Sequence, residues 1–279
     1  MISFKLINPS RSAENTRIIT MITHLTKFSK PEFELTNEES KEAYIKNRIR
    51  AGQALCIYQI RAALRSSHVA LVEHIEGTKV AESHFQFEGK SNQSGDKIAT
   101  IQKIIEKNEL PKKSNIFKNE YFPEWLTDKE LYIKACQDDL SIYKQISVLA
   151  KKLSGKREEG KLQQLIDIQK KHTHVLAFDS TVITLYYLRK LFREKHSDKS
   201  ILIASGSEKD KDSKKVLDVF SLKSTSKDPI IALCSDKMSE SVDLQKASAV
   251  VLLDLPSVLR IVEQRIGRAD RMDSFHDSI

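Results

Sequence analysis

From residue 156 onward, short apolar runs alternate with polar-faced stretches at helical spacing. The pattern predicts helix 156–171, strand His174–Phe178, helix 181–195, strand Ile201–Ala204 and helix 212–221. Strands Ile230–Cys234 and Ala249–Leu253 and helix 257–268 complete it. Short apolar strands joined by long helices indicate a parallel sheet covered on its faces. The expected class is α/β, with a mostly parallel sheet. Ligands of such sheets sit beyond the carboxyl ends of the strands. The loops after Phe178, Cys234 and Leu253 are therefore the informative ones.

The chain before residue 156 has another rhythm and predicts a mainly helical region over 1–155, followed by a lobe over 156–279. Ala13–Phe28 is apolar at helical spacing and stops before Pro31. Thr36 with Glu39 fits a capping box, in which reciprocal bonds satisfy the first free amides of a helix running towards Arg50. Ile57, Ile60, Leu64, Leu71 and Ile75 share one face of a longer helix, and Gly77 is placed to end it. Residues 85–125 lose this periodicity, collect Gly, Ser, Asn, Lys and Pro, and predict an extended connector. Thr127 with Glu130 fits a second capping box, before a helix with Leu140, Tyr143, Ile146, Leu149 and Leu153 inward.

A length of 279 residues suits about two domains. The longest apolar runs, such as Ala247–Leu255, fall short of the roughly 18 residues a bilayer helix needs, so no membrane span is expected. The N-terminus has no signal-peptide pattern. Cys56, Cys136 and Cys234 lie far apart, which argues against a disulfide framework or zinc site and for a reducing, cytoplasmic setting. His172 and His174 are too few to hold a metal, and none is expected. The net charge of +8 is spread over both halves. It suits a nucleic-acid partner and equally a solvated surface.

Chemistry concentrates near the C-terminus. Glu263-Gln-Arg-Ile-Gly-Arg-Ala-Asp-Arg271 crowds Gln264, Arg265, Arg268 and Arg271 into two helical turns. Arg268 and Arg271, three apart, share a face suited to two oxygens of one phosphate. A salt-bridge helix using Glu263, Asp270 and Asp273 would look similar. Ser235–Ala247 is a polar loop between two apolar strands. Phe117, Tyr121, Phe122 and Trp125 could stack on bases, but such aromatics more often pin a connector to the core. Gln137-Asp-Asp-Leu140 reads as helix surface.

Together these strings resemble the second RecA-like lobe of superfamily-two helicases and translocases, over about residues 156–273. The likeness is greatest to the Swi/Snf-like branch, in particular RapA (HepA)-type ATPases. Ser235–Ala247 resembles motif V, Val250–Pro256 the strand ending in Asp-Leu-Pro, and Glu263–Arg271 motif VI. His174–Phe178 with Ser180 and Thr181 is similar to motif IV, while Ser241 departs from the usual glycine of motif V. Arg61–Ala70 is similar to a family stretch in which basic and paired serine residues punctuate a long helix.

The resemblance implies that Arg268 and Arg271 are arginine fingers oriented by Gln264, and that Glu240 and Asp243 contact nucleotide. Ser180, Thr181, Ser235 and Gln245 would touch nucleic acid, expected to be duplex DNA. ATP and Mg2+ would be held mainly by a first RecA-like lobe. That lobe's Walker A and acidic motifs are absent here; Glu88-Gly-Lys-Ser91 is a poor match because His84 stands where the first glycine belongs. The chain alone is thus expected not to hydrolyse ATP, and its end soon after motif VI suggests a piece of a longer protein. The alternative is a non-catalytic remnant or a module that docks on protein or nucleic acid.

Overall fold

The computed structural model describes residues 27–32, 35, 37–89, 96–196, 201–205, 211–239, 244–256, 258–267 and 269. In chain order these form β1 (Lys27–Phe28), α1 (Glu38–Ser66), α2 (His68–Glu76), α3 (Thr78–Phe85), α4 (Lys97–Lys107), β2 (Lys112–Lys113), α5 (Lys129–Lys151) and α6 (Lys156–Gln169). There follow β3 (His174–Phe178), α7 (Val182–Lys195), β4 (Ile201–Ala204), α8 (Lys211–Phe220), β5 (Ile230–Cys234), β6 (Ala249–Leu252) and α9 (Leu259–Ile266). Contacts group into two compact units, each made of two stretches: Met1–Arg61 with Gly95–Leu149, and Ala62–Ser94 with Ala150–Ile279.

In the first unit, β1 pairs in parallel with β2, Phe28 opposite Lys113. The helix expected over Ala13–Phe28 therefore does not include Lys27 and Phe28; residues 13–26 lie outside the described residues. A two-residue strand is too short to display its period, and burial holds Phe28 there, edge-on to Phe122 at 4.9 Å. Ser40 N donates to Asn37 Oδ1 at 2.8 Å and Asn37 N to Ser40 Oγ at 3.3 Å. The cap of α1 thus falls one residue after Thr36, which lies outside the described residues, on a better capping type. The buried face of α1 runs through Ile45, Cys56 and Ala63, whereas Ile57 is exposed.

Residues 85–125 are not a bare connector, because α4 lies within them. Asp96 caps it, its side chain accepting from Ala99 N at 2.9 Å, and Asn108 ends it with φ 52°. The aromatics Phe117, Tyr121 and Phe122 are buried. Asp128, not Thr127, caps α5, accepting from Leu131 N at 2.9 Å. The inward stripe of α5 is Tyr132, Cys136, Asp139, Tyr143 and Ser147, stepping by three or four. Leu149 and Leu153 face outward, and Asp139, read as surface, is buried. Burial, with Asp139 nearby, pushes the Cys136 thiol up to about 12.

In the second unit, Ser67 caps α2, accepting from Ala70 N at 2.9 Å, so the helix seen in sequence as running on to Ile75 breaks at Ser67. Gly77, with φ 90°, separates α2 from α3 in a conformation glycine adopts without a Cβ penalty. His68 Nδ1 meets Glu158 of α6 at 3.0 Å, both buried, and Arg157 Nη2 meets the same carboxylate at 2.8 Å. Burial alone would raise the Glu158 pKa, but those two partners hold it at about 2.

The sheet is four parallel strands in the order β4-β5-β3-β6. Every residue of β3, β4 and β5 is buried, as strands covered on both faces require. Leu176, Phe178, Leu202, Ala204, Ala232 and Cys234 pack with Val216 and Phe220 of α8. The alternate residues point to the other face by the period of two. There α6 packs on β3 and α7 on α6.

Candidate functional site at the carboxyl edge

The amide beyond each of three strands continues the ladder. Asp179 N donates to Cys234 O at 3.1 Å, Ser235 N to Ala204 O at 3.0 Å and Leu253 N to Phe178 O at 2.9 Å. Register alone therefore delivers Asp179, Ser235 and Asp254 to one edge of the sheet. This is the edge where the three informative loops emerge.

Arg265 of α9 ties those loops together. Its Nε donates to Asp236 Oδ1 at 2.7 Å and its Nη1 to Asp254 Oδ1 at 2.9 Å and Asp254 O at 3.2 Å. The guanidinium is 0% exposed, so its charge is balanced wholly by protein groups. Asp254 in turn accepts from Ser180 N at 3.2 Å and, at its other oxygen, from the Ser180 hydroxyl. The chain Ser180–Asp254–Arg265–Asp236 thus links the loops after β3, β5 and β6 to α9.

A second network lies behind Thr181. Asp179 Oδ1 accepts from Thr181 N at 2.9 Å, from the Thr181 hydroxyl at 3.1 Å and from the Ser66 hydroxyl at 2.5 Å. Lys161 Nζ donates to Ser66 O at 2.7 Å and lies 3.8 Å from Asp179 Oδ2. Asp179 is 0% exposed. Burial first, and the nearby Asp254 second, push its pKa above the usual aspartate range against the pull of Lys161. Burial lowers that of Lys161.

Ser180 is exposed and Thr181 half-buried at the start of α7. Ser235 is buried, its hydroxyl donating to Ser205 O at 3.0 Å, which fastens the β5 loop to the end of β4. Gln245 is half-buried between Leu244 and the Lys246 that holds Ser224 O at 2.8 Å. Gln264 is half-buried on α9 beside Arg265. Arg268, Arg271, Glu240 and Asp243, with Ser241, lie outside the described residues. Sequence reasoning gave no role to Asp254, Arg265, Asp179 or Ser66. Asp254, Arg265 and Ser66 stood inside strings already singled out, but nothing in a linear string marks an arginine as buried. The Gly89 amide, within the Walker A look-alike, donates to Glu82 Oε1 at 3.0 Å.

Residues 159–273 match the family model described as the helicase conserved C-terminal domain. No curated protein sequence matches the chain. Among solved structures, the chain is similar to one described as the C-terminal part of the Fun30 ATPase domain, at 18% identity and TM-score 0.37, over 91% of this chain and 84% of that one. Over residues 159–273 the chain carries a helicase-like C-terminal lobe, an α/β unit with a parallel sheet and surrounding helices.

Proposed function

We propose that this chain is the C-terminal part of an ATP-dependent translocase of the Swi/Snf-like branch, near the RapA type, that tracks along duplex DNA. One observation carries the reading. Arg265 anchors the start of Glu263–Arg271 to Asp236 and Asp254 at the carboxyl edge, within the segment that matches the helicase C-terminal domain. That edge is where parallel α/β sheets bind their ligands.

In this reading Arg268 and Arg271 serve as arginine fingers oriented by Gln264, and Glu240 and Asp243 contact the nucleotide. The donor set suits the phosphate end of ATP, because planar guanidiniums match phosphoryl oxygens two at a time. The first lobe would hold Mg2+ and the remaining phosphate charge. Bound Mg-ATP supplies the phosphoryl group that is transferred to water. The fingers offset the charge that spreads over its equatorial oxygens. Ser180, Thr181, Ser235 and Gln245 form or hold the surface facing the strand. Closing and opening of the cleft between lobes would then advance that surface along the track.

Fluorescence anisotropy with labelled duplex tests the DNA-binding part. Binding should be weak, indifferent to sequence and steeply weakened by salt, because a distributed +8 offers only a few phosphate contacts. No binding at low salt by a folded chain would contradict it and favour a protein-docking module. Tight binding that persists at high salt would contradict it too.

A further inference from the structure

Ser66 lies outside the segment that matches the helicase domain, yet its side chain belongs to the carboxyl edge. It ends α1, is 0% exposed, and donates to Asp179 Oδ1 at 2.5 Å. Its hydroxyl also meets Thr184 Oγ1 at 2.6 Å and contacts the Thr181 hydroxyl. Ser67 Oγ meets Thr184 Oγ1 at 2.7 Å while accepting from Ala70 N at 2.9 Å.

Each hydroxyl has one hydrogen to give. Ser66 and Thr181 give theirs to Asp179, so Thr184, 2.6 Å from Ser66 Oγ and 2.7 Å from Thr181 Oγ1, shares its one hydrogen between them, and Ser67 donates to Thr184. The relay runs from the start of α2 to the carboxylate that also holds Thr181 N and its hydroxyl. Lys161 braces both ends, through Ser66 O and Asp179 Oδ2. Four hydroxyls and a lysine are buried or half-buried around one carboxylate. A hydrophobic core would not need such an arrangement, whereas a turn that must be held in a single geometry does.

We propose that Ser66 is a positioning residue for the Ser180–Thr181 turn, fixing the geometry in which this turn and the start of α7 face a nucleic-acid phosphate. The inference rests on the proposed nucleic-acid function of this edge. Ser66 acts through Asp179 and does not itself touch the strand. Because the contacts it orders are neutral, their loss weakens binding without changing the number of counterions released.

The test uses the full chain and three variants that do not add volume: Ser66→Ala, Thr184→Val, which loses the hydroxyl, and Thr184→Ser, which keeps it. Duplex affinity is read by anisotropy, and protection of the Thr181 amide by hydrogen exchange, beside a thermal melt. Ser66→Ala and Thr184→Val should raise Kd roughly three- to tenfold, the worth of one ordered polar contact, with an unchanged salt slope. Both should speed Thr181 exchange by a similar factor. Thr184→Ser should behave like the parent. If Ser66→Ala lowers the melting temperature but leaves Kd and Thr181 exchange unchanged, its role is structural and the proposal falls. Equal losses in Thr184→Ser and Thr184→Val would overturn it as well. A parent chain that binds no duplex refutes the proposed function instead; Thr181 exchange still reports whether Ser66 orders the turn.

Discussion

At the scale of single residues, buried charge dominates the account. Among the described residues Arg265 heads the fully buried side chains by volume, and it is held by two carboxylates. Removing one partner of a buried pair strands the other in low dielectric, so Arg265→Ala should cost roughly 3–5 kcal/mol in chemical denaturation. Exposed Arg260→Ala should stay within about 0.5 kcal/mol. The buried carboxylates Glu158 and Asp179 have opposite signs. The Glu158 pKa is lowered from 4.5 to about 2 in the fold, so its contribution is present above 4.5 and lost as pH falls towards 2. Glu158→Gln should therefore cost roughly 2–3 kcal/mol at neutral pH, and the deficit should vanish across that window. The Asp179 pKa is raised, so its ionised form opposes folding above that raised value and stops doing so as pH falls through it. Asp179→Asn keeps an acceptor for Thr181 N and should raise the melting temperature at neutral pH. The gain should shrink on acidification. A constant difference at every pH would refute the charge argument for either residue.

At the scale of elements, caps decide where helices begin. Asp128→Ala should cost about 1 kcal/mol in a thermal melt, and Thr127→Ala far less, because only Asp128 accepts an amide of α5. Equal costs would restore Thr127 as the cap. Both caps were misread by one residue for the same reason: Thr-x-x-Glu fits the pattern, but an Asn or Asp next to it competes better for the free amides. In the second unit β3, β4 and β5 begin and end where their apolar runs do, and β6 ends one residue before the expected Leu253. In α5 the apolar pattern misled, because the buried stripe uses Asp139 and Ser147 and leaves Leu149 outside. Buried polar residues break the assumption on which periodicity rests. The α4 helix was hidden by the Gly, Ser, Asn, Lys and Pro around it, although Ile98, Ile101 and Ile105 carry its spacing. Motif strings located the edge of the site but not its interior. Arg265, Asp254, Asp179 and Ser66 meet only through register and long-range packing.

At the scale of the whole molecule, residues 62–94 belong to the same compact unit as the lobe, so the site draws on Ser66, 113 residues upstream of the Asp179 it meets. No helix among the described residues is long and apolar enough to cross a membrane. In the proposed function, Arg271 acts on a phosphoryl group supplied with a first lobe. The chain alone, with magnesium and ATP, should show no turnover above background. The direct measurement is steady-state ATP hydrolysis, at saturating duplex, by a protein that joins this lobe to a phosphate-cradling one, compared with its Arg271→Lys variant. Lysine keeps the charge but loses the planar fork. Turnover should fall roughly a thousandfold while nucleotide affinity changes little, because the finger acts on the transition state. Near-normal turnover in Arg271→Lys, with a surface-residue cost of at most about 1 kcal/mol in stability, would contradict the finger assignment and with it the translocase reading.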